Sequence, residues 1–342
     1  MWKPETESMP REAVEALQLK RLRRLVRRLE QTVPFYRNRM RAGGVTARDV
    51  RTLEDARHLP FTTRSDLRDQ YPLGLVAVPL DQVARFHATS GSRGKPTLVS
   101  YTAQDLRTWA EFAARMLYAA GARPGDVWYI ASSYGLFSGG MGAHYGLERL
   151  GAAVVPASSG NTLRLVQLMA DVRPAGIHCV PTYMLRIAEV AREAGIDPRD
   201  LGLRFGSYGG ETWSEPLRHR IEEEFGLIAY DVYGLAECYG PGVAYECEER
   251  GGLHLSEDHF LFEVVDPATG QPVPDGQEGE LIITTLTKQA MPLLRYRTGD
   301  LTRILPGECP CGRTFRRMAR ISGRSDDMLI IRGVNLYPSE VE

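Results

Sequence analysis

The sequence predicts an α/β protein: mostly parallel sheets covered by helices, with a β-rich, barrel-like subdomain after them. Three observations carry the prediction. From Asp105 to Gly234, strand-like apolar runs alternate with helical patterns. Those runs are continuously apolar, as expected of strands buried on both faces. Past Gly251, short β-rich runs are broken by Pro, Gly and Asp turns, which indicates antiparallel pairing.

The elements follow in order. Between Arg11 and Leu29, Val14, Leu17, Leu22, Leu25, Val26 and Leu29 recur at helical spacing, with Lys20, Arg21, Arg23, Arg24, Arg27 and Arg28 opposite. This reads as a docked helix with a solvated basic face. Asp105 to Ala120 reads as a helix stopped by Gly121, and Asp126 to Ser132 as a buried strand. "AHYGLERLG" and "TLRLVQLMADV" are helices leading into the strands "AAVVPAS" and "GIHCVP". A helix capped by Thr182 and ended by Gly195 comes next, then the strand "LRFGSYGG", a helix with Ser214 as N-cap, and the strand "LIAYDVYG". Ligands of such sheets bind at the carboxyl ends of the strands.

Composition sets the bounds. The 342 residues are 43% hydrophobic and 25% charged, ordinary for a folded globular chain. A net charge of −1 favours neither nucleic acid nor an anionic membrane as a partner, so any nucleotide must be held locally. The N-terminal residues lack the basic-then-apolar order of a signal peptide, and no apolar run approaches the ~18 residues of a membrane span. The expected location is the cytoplasm. Five cysteines in a chain this size do not suggest a disulfide framework.

One loop stands out. In "HATSGSRGKPTLVSYT", Thr89, Ser90, Gly91, Ser92, Arg93, Gly94 and Lys95 offer main-chain N–H groups, hydroxyls and two cations with little bulk. Such a loop can wrap an anion. It is not the common P-loop, because Gly91 and Gly94 are too close together and Pro96 follows the lysine. Ser92 to Lys95 also spells S-x-x-K, but that nucleophile pair needs a helix, against which Gly91, Gly94 and Pro96 argue.

With "TSGSRGKPT", "YGLFSGGMGAHYG", "GGETWSE", "DVYGLAECYGPGVAYEC", "GLHLSEDHF", "TTLTKQAMPLLRYRTGDLT" and "ISGRSDDMLIIRGVNLYPSEVE" in this order, the chain resembles the phenylacetate-CoA ligase branch of the adenylate-forming acyl- and aryl-CoA ligases. The resemblance runs from about His87 onward. It implies that ATP and a carboxylic acid form an acyl-adenylate and pyrophosphate, and that coenzyme A then takes the acyl group. It implies a large N-terminal domain over residues 1–323, with an α/β part to about 240 and a β-rich part over 241–323. Residues 324–342 would be the hinge and the start of a C-terminal domain of roughly a hundred residues, a usual domain size. The chain given ends at Glu342, so the expectation is that this domain is missing and that the polypeptide adenylates slowly and makes thioester poorly.

The implied site residues suit the chemistry. A carboxylate attacking the α-phosphate brings anions together, so the site must neutralise charge and align groups. Lys95 and the loop around it, Thr89, Ser90, Gly91, Ser92 and Gly94, would hold the β- and γ-phosphates, and Glu237 would hold Mg²⁺. Asp300 would accept the ribose hydroxyls, Arg324 would reach the phosphates, and Asp326 sits at the hinge. Gly209, Gly210 and Glu211 with Asp231, Val232, Tyr233 and Gly234 would enclose adenine. Taken alone, Asp300 could simply cap a turn and Glu237 could be a solvated loop carboxylate. One departure matters: the family usually has Thr or Ser before the metal-binding Glu, and here stands Ala236. A hydrogen bond to a charged group, worth roughly 1.5–3 kcal/mol, is missing or replaced. This leaves open an alternative module that loads the acid onto a carrier protein, or one that binds acid and nucleotide with weak catalysis.

The acyl slot would be lined by Ser132, Tyr134, Phe137, Gly139, Gly140, Ala143, Gly209 and Pro241. The branch carries Tyr-Gly-Tyr before "GLF", whereas Ser132, Ser133 and Tyr134 stand here, so one ring is replaced by a hydroxymethyl group. A substituted benzoate, with a hydroxyl or amino group, is therefore expected rather than phenylacetate itself. Alternatively, Ser132 merely packs behind the site. Cys309 and Cys311, with Cys247 and His254, are three thiolates and one imidazole, a sound tetrahedral zinc set; the alternative is plain thiols. Cys179 and Cys238 fit no ligand spacing. A homodimer is implied by resemblance only.

Overall fold

The continuous apolar runs between Val127 and Leu235 do pair side by side. A computed structural model describes residues 1–89, 97–326, 329–331 and 334–336. Its main segments form two units: Trp109–Leu253, and Lys3–Thr108 together with His254–Met328. Grouping the first hundred residues with the β-rich segment is a long-range association that a linear boundary near residue 240 does not contain.

The second of these units begins with short α1 (Pro4–Glu7), then α2 (Arg11–Thr32), α3 (Pro34–Ala42) and α4 (Arg64–Asp69). Along α2, Val14, Leu22, Leu25, Val26 and Leu29 are buried, which matches the helical spacing. The opposite face is not wholly solvated. Arg28 donates to the carbonyl of Ala77 at 3.1 Å, and Arg21 to that of Asp258, because long cationic side chains can reach around and satisfy carbonyls at the helix flank. Thr63 caps α4 through a capping box with Asp66. A hairpin of β1 (Val83–Ala88) and β2 (Leu98–Thr102) brackets the glycine-rich loop.

Helix α5 (Ala103–Ala119) leads into the other unit. There β3 (Val127–Ile130), α6 (Ser138–Leu150), β4 (Ala153–Val155), α7 (Thr162–Val172), β5 (Gly176–Cys179), α8 (Pro181–Glu193), β6 (Phe205–Tyr208), α9 (Glu215–Phe225), β7 (Ile228–Leu235) and β8 (Gly240–Glu246) follow in turn. The spatial order β8-β7-β6-β5-β3-β4 is parallel except for β8, which runs antiparallel to β7. Tyr129, Ile177, Met184, Ile187 and Ile221 share one apolar cluster, and Trp128, Ile130, Leu147 and Tyr245 another. Ser214 caps α9 by accepting from the N–H of Leu217, and Gly226 ends it in the left-handed conformation. Thr182 does not cap α8. Pro181 opens the helix, and the N–H of Thr182 is itself satisfied by a distant carboxylate, that of Glu211, at 2.8 Å.

Past β9 (Leu253–Leu255), the second unit is antiparallel as predicted. Strands β10 (Phe260–Val265), β11 (Gly279–Thr285) and β12 (Tyr296–Thr302) form a sheet with β15 (Gly323–Arg324), and β13 (Ile304–Leu305) pairs with β14 (Arg317–Met318). A last hairpin joins β16 (Leu329–Ile331) to β17 (Val334–Leu336). Among the described residues no helix is long and apolar enough to cross a membrane.

Candidate functional site

At the carboxyl ends of β6 and β7 the two segments singled out by the sequence lie side by side. The strands pair in parallel register, with Tyr208 opposite Asp231. Directly beyond, a Cβ on Gly209 would stand 2.4 Å from the carbonyl oxygen of Val232, so only glycine lets the turn approach so closely. Gly210 follows at φ +83°, the left-handed region. Glu211 turns away toward α8, where its carboxylate accepts the N–H of Thr182 and thereby holds the turn to a helix start. The side chain of Asp231, 9% exposed, accepts the indole N–H of Trp213 at 3.0 Å. What this pair of segments offers a ligand is therefore main chain and the half-buried Tyr233 rather than free carboxylates.

Strand β7 leads through Gly234 into a single 3-10 turn, Ala236–Cys238, that carries Glu237. Glu237 is 7% exposed, and Tyr239 two residues on is held at φ +91°. A buried carboxylate on a strained turn is an unusual arrangement for a merely solvated loop residue.

The acyl-slot residues of the same unit are partly assembled. A Cβ on Gly140 would meet the carbonyl oxygen of Ser133 at 2.8 Å, so α6 and the Ser132–Tyr134 loop touch through their backbones. Ser132 lies 3.5 Å from the carbonyl of His178. The hydroxyl of Tyr134 bonds Nδ1 of His144 at 3.1 Å, and Nε2 of His144 faces Glu148 at 3.1 Å. Burial, with the Glu148 carboxylate beside it, raises the Tyr134 phenol above its ordinary pKa. Phe137 is exposed beside the half-buried Gly139, whereas Ala143 is wholly buried in an apolar cluster. Pro241 is buried, its carbonyl accepting the indole N–H of Trp109 at 3.1 Å.

In the other unit, β12 presents Asp300 opposite Arg324 of β15. The Arg324 guanidinium donates to the Asp300 carboxylate, to Asp326 at 2.7 and 3.0 Å, and to the carbonyl of Thr298 at 3.0 Å. One cation thus gathers Asp300 and the hinge residue Asp326. At the mouth of the β1–β2 hairpin, Thr89 exchanges two bonds with Thr97: its N–H donates to the Thr97 carbonyl at 3.0 Å, and its hydroxyl accepts the Thr97 N–H at 3.3 Å. Ser90, Gly91, Ser92, Arg93, Gly94 and Lys95 lie outside the described residues.

The cysteine set converges. Ligand atoms of Cys247, His254, Cys309 and Cys311 lie within 4.8 Å of one another, three of these residues buried. Nδ1 of His254 is tied to the Phe315 carbonyl at 3.2 Å, which turns Nε2 toward Cys311 Sγ at 3.5 Å. A main-chain carbonyl that holds the far ring nitrogen in this way is how metal-ligating histidines are oriented.

Sequence reasoning missed His144, Trp213, Arg218 and Glu246. A histidine and a glutamate four apart in "AHYGLE" are a weak signal for the first. The others join only through the fold.

Comparison with known proteins yields concordant matches. A family model described as "AMP-binding enzyme" matches residues 16–288. A phenylacetate-coenzyme A ligase of Thermus thermophilus is 54% identical over 100% of this chain and 77% of its own length. One of Escherichia coli is 51% identical over 96% of this chain and 75% of its own. A crystal structure of 2-hydroxyisobutyryl-CoA ligase with 2-HIB-AMP and CoA superposes with a TM-score of 0.95 at 35% identity, covering 99% of this chain and 74% of that one.

Proposed function

Since the chain belongs to the AMP-binding enzyme family, in its phenylacetate-CoA ligase branch, we propose that it activates an aryl carboxylic acid with ATP and passes the acyl group to coenzyme A. It is an enzyme of the AMP-forming acid–thiol ligase class. The observation that carries the reading is the seam between β6 and β7, where Gly209 closes on Val232 at the carboxyl ends of parallel strands.

In the first step a carboxylate oxygen of the acid bonds to the α-phosphorus of ATP, and the bond to the bridging oxygen breaks to release pyrophosphate. In the second, the thiol of coenzyme A releases its proton to solvent, sulfur bonds to the acyl carbon, and the carbon–oxygen bond breaks to leave AMP with the electron pair. Neither step needs a strong base from the protein, so alignment and charge neutralisation dominate. The seam would hold adenine, Asp300 the ribose, and Arg324 and Lys95 the phosphates. Asp300 is engaged by Arg324, so sugar hydroxyls would share its acceptor capacity with the guanidinium. A Mg²⁺ ion would be held at Glu237, whose carboxylate oxygens suit a hard cation; it would neutralise phosphate charge. Zinc would be held by Cys247, His254, Cys309 and Cys311 as a closed structural site, since the donor set leaves no open position.

The acid would lie along Ser132, Tyr134, Phe137, Gly139 and Gly140. Phenylacetate and hydroxy- or aminobenzoates are the acids to compare, the former from the relatives and the latter from the hydroxyls at Ser132 and Ser133. Residues 1–323 would serve as the adenylating domain and Asp326 as its hinge, in a cytoplasmic homodimer. Acid-dependent ATP–pyrophosphate exchange, followed by thioester formation with coenzyme A or with a phosphopantetheinylated carrier protein, tests the reading. Exchange with one aryl acid and transfer to coenzyme A are expected. No exchange with any aryl acid would overturn it, and transfer to the carrier alone would replace the acceptor. Metal analysis of protein purified without chelator is expected to find stoichiometric zinc that a Cys309→Ser variant lacks.

A further inference from the structure

Behind the β6–β7 seam lies a closed set of four buried residues, of which Trp213, Arg218 and Glu246 have no role in the steps above. Trp213, 7% exposed, follows the Gly209–Glu211 turn and donates its indole N–H to Asp231 Oδ1 at 3.0 Å. Asp231 in turn gives its backbone N–H to Glu246 Oε2 at 2.7 Å. Glu246, on β8 and 1% exposed, also accepts at both oxygens from Nη2 of Arg218 on α9, each at 2.9 Å. The guanidinium of Arg218, itself 4% exposed, lies over the Trp213 ring at 5.1 Å and so closes the circuit. At its edge the Arg218 Nε faces the exposed Glu215 carboxylate at 3.6 Å.

The geometry of this circuit is specific. Four segments, the turn after β6, α9, β7 and β8, each contribute one side chain, and two of the four links end on Asp231 itself. Burying an arginine and two carboxylates is costly, and an apolar replacement of equal volume would often serve stability as well or better. What hydrogen bonds supply that apolar packing does not is direction. The Trp213–Asp231 bond fixes the distance between the Gly209–Glu211 turn and β7, and the Glu246 carboxylate fixes the height of Asp231 along its strand.

We propose that Trp213, Arg218 and Glu246 are positioning residues for nucleotide binding: through Asp231 they hold the two segments of the seam at the spacing that receives the base, without touching it. The inference rests on the reading that this seam is the adenine site.

The test uses the full chain with AMP and an aryl acid as separate probes. Hydrogen exchange on wild type with and without AMP reads the site itself: protection at Tyr208–Glu211 and Asp231–Gly234 is expected, and its absence overturns both the site reading and the inference. Trp213→Phe keeps the ring and removes the donor. Its affinity for AMP is expected to fall about fivefold to tenfold with the acid's affinity nearly unchanged, while the melting temperature drops modestly because a buried acceptor loses its donor. Glu246→Gln, which keeps an acceptor for the Asp231 N–H, is expected to retain AMP binding within about twofold, whereas Glu246→Leu loses it. Wild-type protection with unchanged AMP affinity in Trp213→Phe overturns the inference alone, as does an equal loss of AMP and acid affinity.

Discussion

The β6–β7 seam and the β12–β15 pair, both proposed above as nucleotide contacts, are built in two different ways. At the seam the fit is made by main chain against main chain, with Gly209 pressed on Val232 and the flanking carboxylates of Glu211 and Asp231 already bonded within the protein. At β12–β15 the contact is a cation shared by Asp300 and Asp326, two acids either of which a ligand can compete for. A backbone fit is fixed at folding and tolerates nothing added. An ion pair can be re-partnered, and its cost is felt chiefly when one charge is deleted.

The sharpest break of this comparison is Gly209→Ala. A methyl group aimed at a carbonyl that the sheet itself holds should cost about 3 kcal/mol or more of stability, at the upper end of overpacking effects, and abolish measurable AMP binding. Denaturant unfolding and calorimetric titration read the two effects; a variant that binds AMP normally would show that the seam yields. The sheet behind the seam should also respond to acid. His178 on β5, bonded to Ser207 of β6 at 3.2 Å, is held neutral by burial, its pKa lowered from 6.5 to about 4. Below pH 6.5 the unfolded chain binds a proton that the folded one refuses, so stability is complete above that value and falls as pH drops toward 4. The loss should reach up to about 3 kcal/mol, and a His178→Asn variant should flatten that slope in pH-dependent melts.

On the ion-paired side, Arg324→Met should cost roughly 2 kcal/mol, less than for a fully buried pair because both side chains keep some solvent contact. Unlike Gly209→Ala it should leave adenosine binding intact, with weaker affinity for AMP; equal loss for both ligands would show that the guanidinium does not act on the phosphate. The smallest effect is expected at the hairpin mouth. Thr89→Val removes the acceptor for the Thr97 N–H and should lower stability by about 1 kcal/mol in thermal melts.

How much of this was legible in the sequence follows from the range of each signal. The parallel sheet was legible because continuous apolar runs and helical periods are local, and so was the Ser214 cap, where hydroxyl and N–H lie three residues apart. Thr182 misled for the same reason: a threonine at a helix start looks like a cap, but Pro181 takes the first turn and Glu211, 29 residues away, supplies the acceptor. The hairpin β1–β2 and the grouping of the first hundred residues with the β-rich segment had no local period to reveal them. That Cys247, His254, Cys309 and Cys311 come together could be read from the sequence because thiols and imidazoles have few alternative uses, so chemistry could stand in for distance. The Trp213–Arg218–Glu246 circuit had no such marker, since buried tryptophan and salt-bridged arginine occur throughout folded proteins.

The bond from Glu211 to the start of α8 bears on redesign. An engineer acting on the proposed base site would be drawn to the acidic residue in "GGE", yet any replacement there that removes the acceptor unfastens a helix before it touches selectivity. Libraries that leave that acid untouched and randomise the half-buried Tyr233 would separate recognition from scaffold integrity at the outset.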